Sequence, residues 1–178
     1  VWCWLLLWQA AAGLIQNSIM LVGPLEVLQA LGTLFGSRDF WHSLAGSFCR
    51  ISAGFLLAFA AGVLLGGLAY CIPLLKEFLE PFMLFLKSVP VASFVILALI
   101  WAGSRNLSVV ISCLVVLPVI YVNTLSGLNS TDPKLLEMAA VFQMPRWKKL
   151  RFIYLPAVLP YLLSGCRIAL GMGWKSGA

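Results

Sequence analysis

Residues 137–156 read Glu137-Met138-Ala139-Ala140-Val141-Phe142-Gln143-Met144-Pro145-Arg146-Trp147-Lys148-Lys149-Leu150-Arg151-Phe152-Ile153-Tyr154-Leu155-Pro156. This polar stretch follows one long apolar segment, 107–125, and leads into another, 152–174. A bilayer is crossed by about 20 apolar residues in helical conformation, so both flanks read as membrane spans. A short helix, a break and a basic run held between two spans form a surface for docking.

The remainder of the chain agrees with a membrane solvent. It is 62% hydrophobic and 10% charged, with mean hydropathy +1.00. Soluble domains average about 45–50% apolar and about 25% charged. In lipid each backbone group must be paired inside a helix or a closed barrel. The apolar runs are continuous and do not alternate, which favours helices over barrel strands. The expected fold class is therefore all-α, a polytopic helical membrane protein, with multi-pass placement in a cell membrane.

Spans are expected at 1–16, 47–70, 81–100, 107–125 and 152–174, about five in all. Trp2, Trp4 and Trp8 suit the interface end of the first. Pro24 opens a helix over 24–36, and Glu26, Gln29 and Thr33 share one of its faces, which fits a helix lying at the membrane surface. Gly62 and Gly66 form a GxxxG pair in the second span, for close packing inside the subunit or against another one. The third span is broken at Pro90. Gly103-Ser104-Arg105-Asn106 is expected to be a tight polar turn. Val1 at the start and Ser176-Gly177-Ala178 at the end suggest a chain cut at both ends, so that 1–178 reads as one incomplete transmembrane domain.

The net charge of +6 gathers where it sets topology rather than where it would meet nucleic acid. Lys134, Arg146, Lys148, Lys149 and Arg151 face Glu137 alone in the loop, which places that loop in the cytoplasm. Counting back by span puts 71–80 in the cytoplasm, and 17–46 and 103–106 outside. Two further cations lie in the spans. Lys87 is either an interfacial cation whose tip snorkels to water or a charge at membrane depth. Arg167 sits mid-span and calls for a partner or a watery cavity: it faces an anion pathway or forms a buried structural pair.

No cofactor, metal or catalytic group is expected. Cys3, Cys49, Cys71, Cys113 and Cys166 are scattered without a CxxC and read as packing residues. His42 is the sole histidine, so no nucleophile–base set assembles around it. Gly173-Trp174-Lys175-Ser176 ends like a phosphate-binding loop, but Trp174 occupies the required glycine and an apolar helix surrounds it. An intramembrane enzyme therefore has little support. A stand-alone carrier would show inverted repeats, which the sequence lacks.

Local signals shape the loop over 132–151. Asp132 caps a helix and Pro133 opens its first turn. Leu135, Leu136, Ala139, Ala140 and Phe142 are its apolar positions. Pro145 disfavours helix at Met144 and ends it. A second, basic helix runs on into the last span.

The loop also resembles the signature loop of ABC importer permeases. That frame is Glu-Ala-Ala, three residues, Gly, nine residues, Ile, one residue and Leu-Pro. Glu137, Ala139, Ile153, Leu155 and Pro156 fall in register, while Met138 and Gln143 depart from the pattern at an Ala and at the Gly. Gln143 visits positive φ less cheaply than Gly, and Pro145 offers another way to make the bend. Gly23-Pro24-Leu25-Glu26-Val27, Phe48 to Phe55, Glu80-Pro81, Lys87 to Pro90 and Pro160 to Ala169 are similar to the branch for nitrate, sulfonate, taurine and related anions.

The resemblance implies six spans, of which about five are present here, and a cytoplasmic coupling helix. It implies an ATP-hydrolysing partner subunit, an extracytoplasmic solute-binding protein and a second, identical permease copy as partners. It implies docking by Glu137, Ala139 and Ala140, a bend at Gln143 to Pro145, and headgroup or ATPase contacts by Arg146, Lys148 and Lys149. Pro156 fixes the start of the last span.

Overall fold

The computed structural model describes residues 2–15 and 22–177. Residues 1 and 16, the ends of the first expected span, lie outside it, as do 17–21 of the expected outer segment and Ala178. The described elements are helical: α1 (Trp2–Ile15), α2 (Pro24–Phe35), α3 (Arg38–Cys71), α4 (Pro73–Ser88), α5 (Val91–Asn129), α6 (Pro133–Val141), α7 (Arg146–Lys149), a π-turn (Leu150–Tyr154) and α8 (Leu155–Gly177). They fall into two compact units, Val1–Gly46 and Ser47–Ala178.

In the first unit, α1 has 14 residues and is about 21 Å long, shorter than the roughly 30 Å hydrocarbon layer. Gly23 precedes α2 and has no side chain to cap it. Gln9 of α1 supplies the acceptor instead, its Oε1 taking the Leu25 amide at 3.4 Å. At the other end of α2 the Trp41 indole donates to the Phe35 carbonyl at 3.0 Å, and the Ser37 hydroxyl to Leu34 at 2.9 Å. Both helix ends thus meet partners for groups that a helix leaves unpaired.

In the second unit α5 is the central helix. Ile111, Ser112, Val116, Ile120 and Tyr121 are all buried. Ala58 of α3 and Ala169 of α8 close one cluster with Val116 and Ile120. Ala69 of α3 and Met83 and Leu86 of α4 close a second around Tyr121. Small residues bring the backbones together: a β-carbon on Gly62 would stand 2.9 Å from Ile120 Cβ, and one on Gly66 2.9 Å from Thr124 Cβ. Both members of the GxxxG pair therefore pack inside the subunit, with α3 against α5. On the other flank, a β-carbon on Gly165 of α8 would meet Asn123 at 2.9 Å.

Among the described residues, three helices are long and apolar enough to cross a membrane: Arg38–Cys71, Asn106–Asn129 and Arg146–Ser176. A fourth span arises if α4 and Val91–Ser104 are taken together, though they are bent by 102°. The break expected at Pro90 is present, and it turns the span over 81–100 into two helices meeting at a sharp angle. Val89 and Pro90 are extended, with ψ of 129° and 133°. Proline lacks an amide and keeps its predecessor out of helical geometry, so the ladder stops there and the chain turns. The expected turn at 103–106 is a single-residue break: Gly103 has φ 70° and ψ 168°, and helix resumes directly.

Candidate functional site

The loop between α5 and α8 is built from its caps upward. Asp132 is extended and its Oδ1 accepts the Lys134 amide at 2.9 Å. This satisfies one of the free amides of α6, and Pro133 removes another. The helix ends after Val141. There the Gln143 amide donates to Ala140 at 3.0 Å and the Met144 amide to Ala139 at 2.9 Å. These paired reversed bonds form a Schellman ending, which requires a left-handed residue between them. Gln143 takes that conformation, with φ 47°. The bend is made at Gln143 itself, and Pro145 then starts α7.

Beyond α7 the ladder widens. The Leu155 amide donates to Leu150, five residues back, immediately ahead of Pro156. A proline ring clashes with the carbonyl four residues before it, and a wider turn at that place relieves the clash. Tyr154 in this π-turn meets Tyr70 of α3 edge to face, with ring centroids 5.8 Å apart.

The structure sorts the sequence-derived residues by exposure. Ala139 and Ile153 are buried and anchor the loop on its own subunit. Glu137, Ala140, Gln143, Arg146, Leu155 and Pro156 are exposed. The apolar surface of the loop is larger than the sequence suggested. Val141 is 80% exposed, Phe142 74% and Trp147 69%. Val141 and Trp147 escaped notice because each sits beside a break, where helical periodicity gives no face. Large apolar side chains exposed together in a charged loop are a candidate contact surface.

The two in-span cations separate. Arg167 is exposed on α8. Lys87 lies in the last turn of α4 and lines a cavity of about 360 Å³ between α4 and α5, with Lys76, Glu80, Tyr121, Ser126 and Asn129. Sequence reasoning missed the α5 side of this cavity; only pairing of the two helices brings it opposite the lysines. Among the described residues no cluster of metal-ligating side chains is found.

A family model described as a binding-protein-dependent transport system inner membrane component matches residues 54–178. The chain belongs to this family. Among curated relatives, the permease chain is 29% identical over 170 residues to the putative aliphatic sulfonates transport permease protein SsuC of Bacillus subtilis, covering 94% of this chain and 62% of that one. It is 28% identical over 175 residues to the taurine transport system permease protein TauC of Escherichia coli, covering 95% and 64%. It is 32% identical over 137 residues to the bicarbonate transport system permease protein CmpB of Synechococcus elongatus, covering 76% and 49%. The permease chain thus spans less than two thirds of the length of these relatives. They place it among ABC importer permeases, in the nitrate, sulfonate and taurine branch, and its long apolar helices make it a multi-pass membrane protein.

Proposed function

We propose that this chain is the membrane-spanning subunit of an ATP-driven importer, and that α6 with its bend is the element that couples it to an ATPase subunit. One observation carries the reading. A capped nine-residue helix leaves Glu137, Ala140 and Val141 exposed, with Phe142 exposed just beyond its end, while Ala139 and Ile153 are buried. A rigid, anchored segment with an exposed apolar ridge is suited to transmit a push. The basic residues that follow, Arg146, Lys148, Lys149 and Arg151, put this loop on the cytoplasmic side by charge, where ATP is available. They contact lipid headgroups or the ATPase.

In this scheme ATP-driven closure of two ATPase subunits moves the two coupling helices of a permease pair. The spans then switch between outward and inward openings. An extracytoplasmic binding protein delivers the solute, a small anion such as nitrate, a sulfonate or taurine, and the assembly sits in the inner membrane. The permease itself performs no chemistry.

Affinity purification of the full-length subunit from native membranes in mild detergent, with mass spectrometry of what accompanies it, tests the reading. An ATP-binding subunit is expected to co-purify, and Glu137→Arg is expected to lose it. A subunit that emerges alone in both forms overturns the proposal and favours a stand-alone carrier.

A further inference from the structure

We propose that the cavity between α4 and α5 is a binding site for the oxyanion group of a small monoanionic ligand. This deepens the solute-pathway reading above and rests on it in placing the cavity on a route for solutes; its chemistry stands on the lining residues.

The α4 wall carries Lys76, Glu80 and Lys87. Their spacings of four and seven residues put all three on one helical face. The α5 wall carries Tyr121, Ser126 and Asn129. Tyr121 is only 2% exposed, and its hydroxyl has no hydrogen-bond partner. A buried hydroxyl without a partner is costly, and such groups are ordinarily satisfied. Tyr121 lines a cavity whose walls also carry two lysines, an asparagine and a serine. The unmet bond therefore points to an occupant.

Charge selects the class of occupant. Two lysines against one carboxylate leave the wall with one net positive charge, matched by a monoanion. The donors outnumber the acceptors, as an oxygen-rich anion requires. Lysine binds such groups as a compact point charge, and the phenol and amide add direction. A volume of about 360 Å³ falls within the roughly 300–1,000 Å³ of small-molecule sites. The cavity also lies close to the coupling loop in sequence: Asn129 ends α5, and Asp132 caps α6. Movement of that loop is thus placed to open or close the Asn129 side.

The oxyanion comes either from a free solute or from a lipid headgroup, and the test separates the two. The full-length permease, with whatever subunits accompany it, is placed in nanodiscs of phosphatidylcholine and dialysed against labelled methanesulfonate or nitrate. Saturable binding is expected for at least one of the two. Lys87→Gln and Tyr121→Phe are each expected to weaken it about tenfold or more, while size-exclusion profiles remain those of the parent. If phosphatidylglycerol displaces the probe with the same dependence on Lys87 and Tyr121, the headgroup is the source; if binding persists, it is the solute. Absence of saturable binding for both probes, or binding unchanged in both variants, overturns the proposal. A sample that retains its ATPase but binds neither probe sinks this site alone; one that binds a probe but carries no ATPase sinks the docking reading alone.

Discussion

The Met144 amide donates to the Ala139 carbonyl at 2.9 Å, and that bond closes the loop around Gln143. It joins the residue after the bend to the buried anchor of α6. The bend and the anchor are therefore one unit, and strain at Gln143 is felt in the helix.

A left-handed conformation costs an ordinary residue on the order of 1–2 kcal/mol, and Gly avoids this at some loss of backbone entropy. Gln143→Gly should therefore stabilise α6 by roughly 0.5–1 kcal/mol, and Gln143→Val should destabilise it by about 1–2 kcal/mol. Hydrogen exchange of the amides over 134–144 measures this. Exchange should slow in the first variant and quicken in the second. Equal rates would show that the bend is not strained.

The cap at the other end is a separate handle. Asp132→Ala removes the acceptor of the Lys134 amide, and such losses cost about 0.5–2 kcal/mol. Exchange should rise in the first turn of α6, while the Met144 amide keeps its protection. Asp132→Asn should restore most of the parent behaviour. Uniform loss across the whole loop would mean that α6 depends on the cap for its existence.

Close packing of α3 on α5 makes a contrast between neighbouring glycines. At Gly62 a β-carbon would stand 2.9 Å from Ile120 Cβ, whereas at Gly67 it would meet nothing within 4 Å. Gly62→Val should destabilise by about 1–3 kcal/mol through overpacking. Gly67→Ala should be neutral or stabilise by roughly 0.5–1 kcal/mol, because Ala is the better helix former. Thermal unfolding in detergent gives both values. A harmless Gly62→Val would mean that α3 and α5 can separate.

What the sequence told of this molecule followed the range of the forces involved. Asp132 and Pro133 are local signals, and α6 starts where they say. The break at Pro90 is local too, but its 102° angle is set by how α4 and the first arm of α5 pack, which no neighbouring residue encodes. Propensity argued against a left-handed Gln143; two hydrogen bonds across the bend override it. Lys87 was visible as a cation within an apolar run. The unpaired hydroxyl of Tyr121 became visible only once α5 was laid beside α4.

Phe142 and Trp147 give the most direct measure of what the loop is for. Both are large, apolar and mostly exposed, at 74% and 69%. Burying a side chain of this kind is worth about 1.5–3 kcal/mol, and contact energy concentrates in such anchors. Neither is buried in the core of its own subunit, so truncation should cost little stability in the isolated permease. On the proposed coupling role, Phe142→Ala should weaken association with an ATPase subunit by about 2 kcal/mol, or about thirtyfold. Titrating the purified ATPase subunit onto nanodisc-held permease reads the shift, with Tm of the permease followed in parallel. A thirtyfold loss with Tm unchanged identifies Phe142 as a docking anchor. A fall in Tm with affinity unchanged would instead make Phe142 a packing residue and move the docking surface elsewhere.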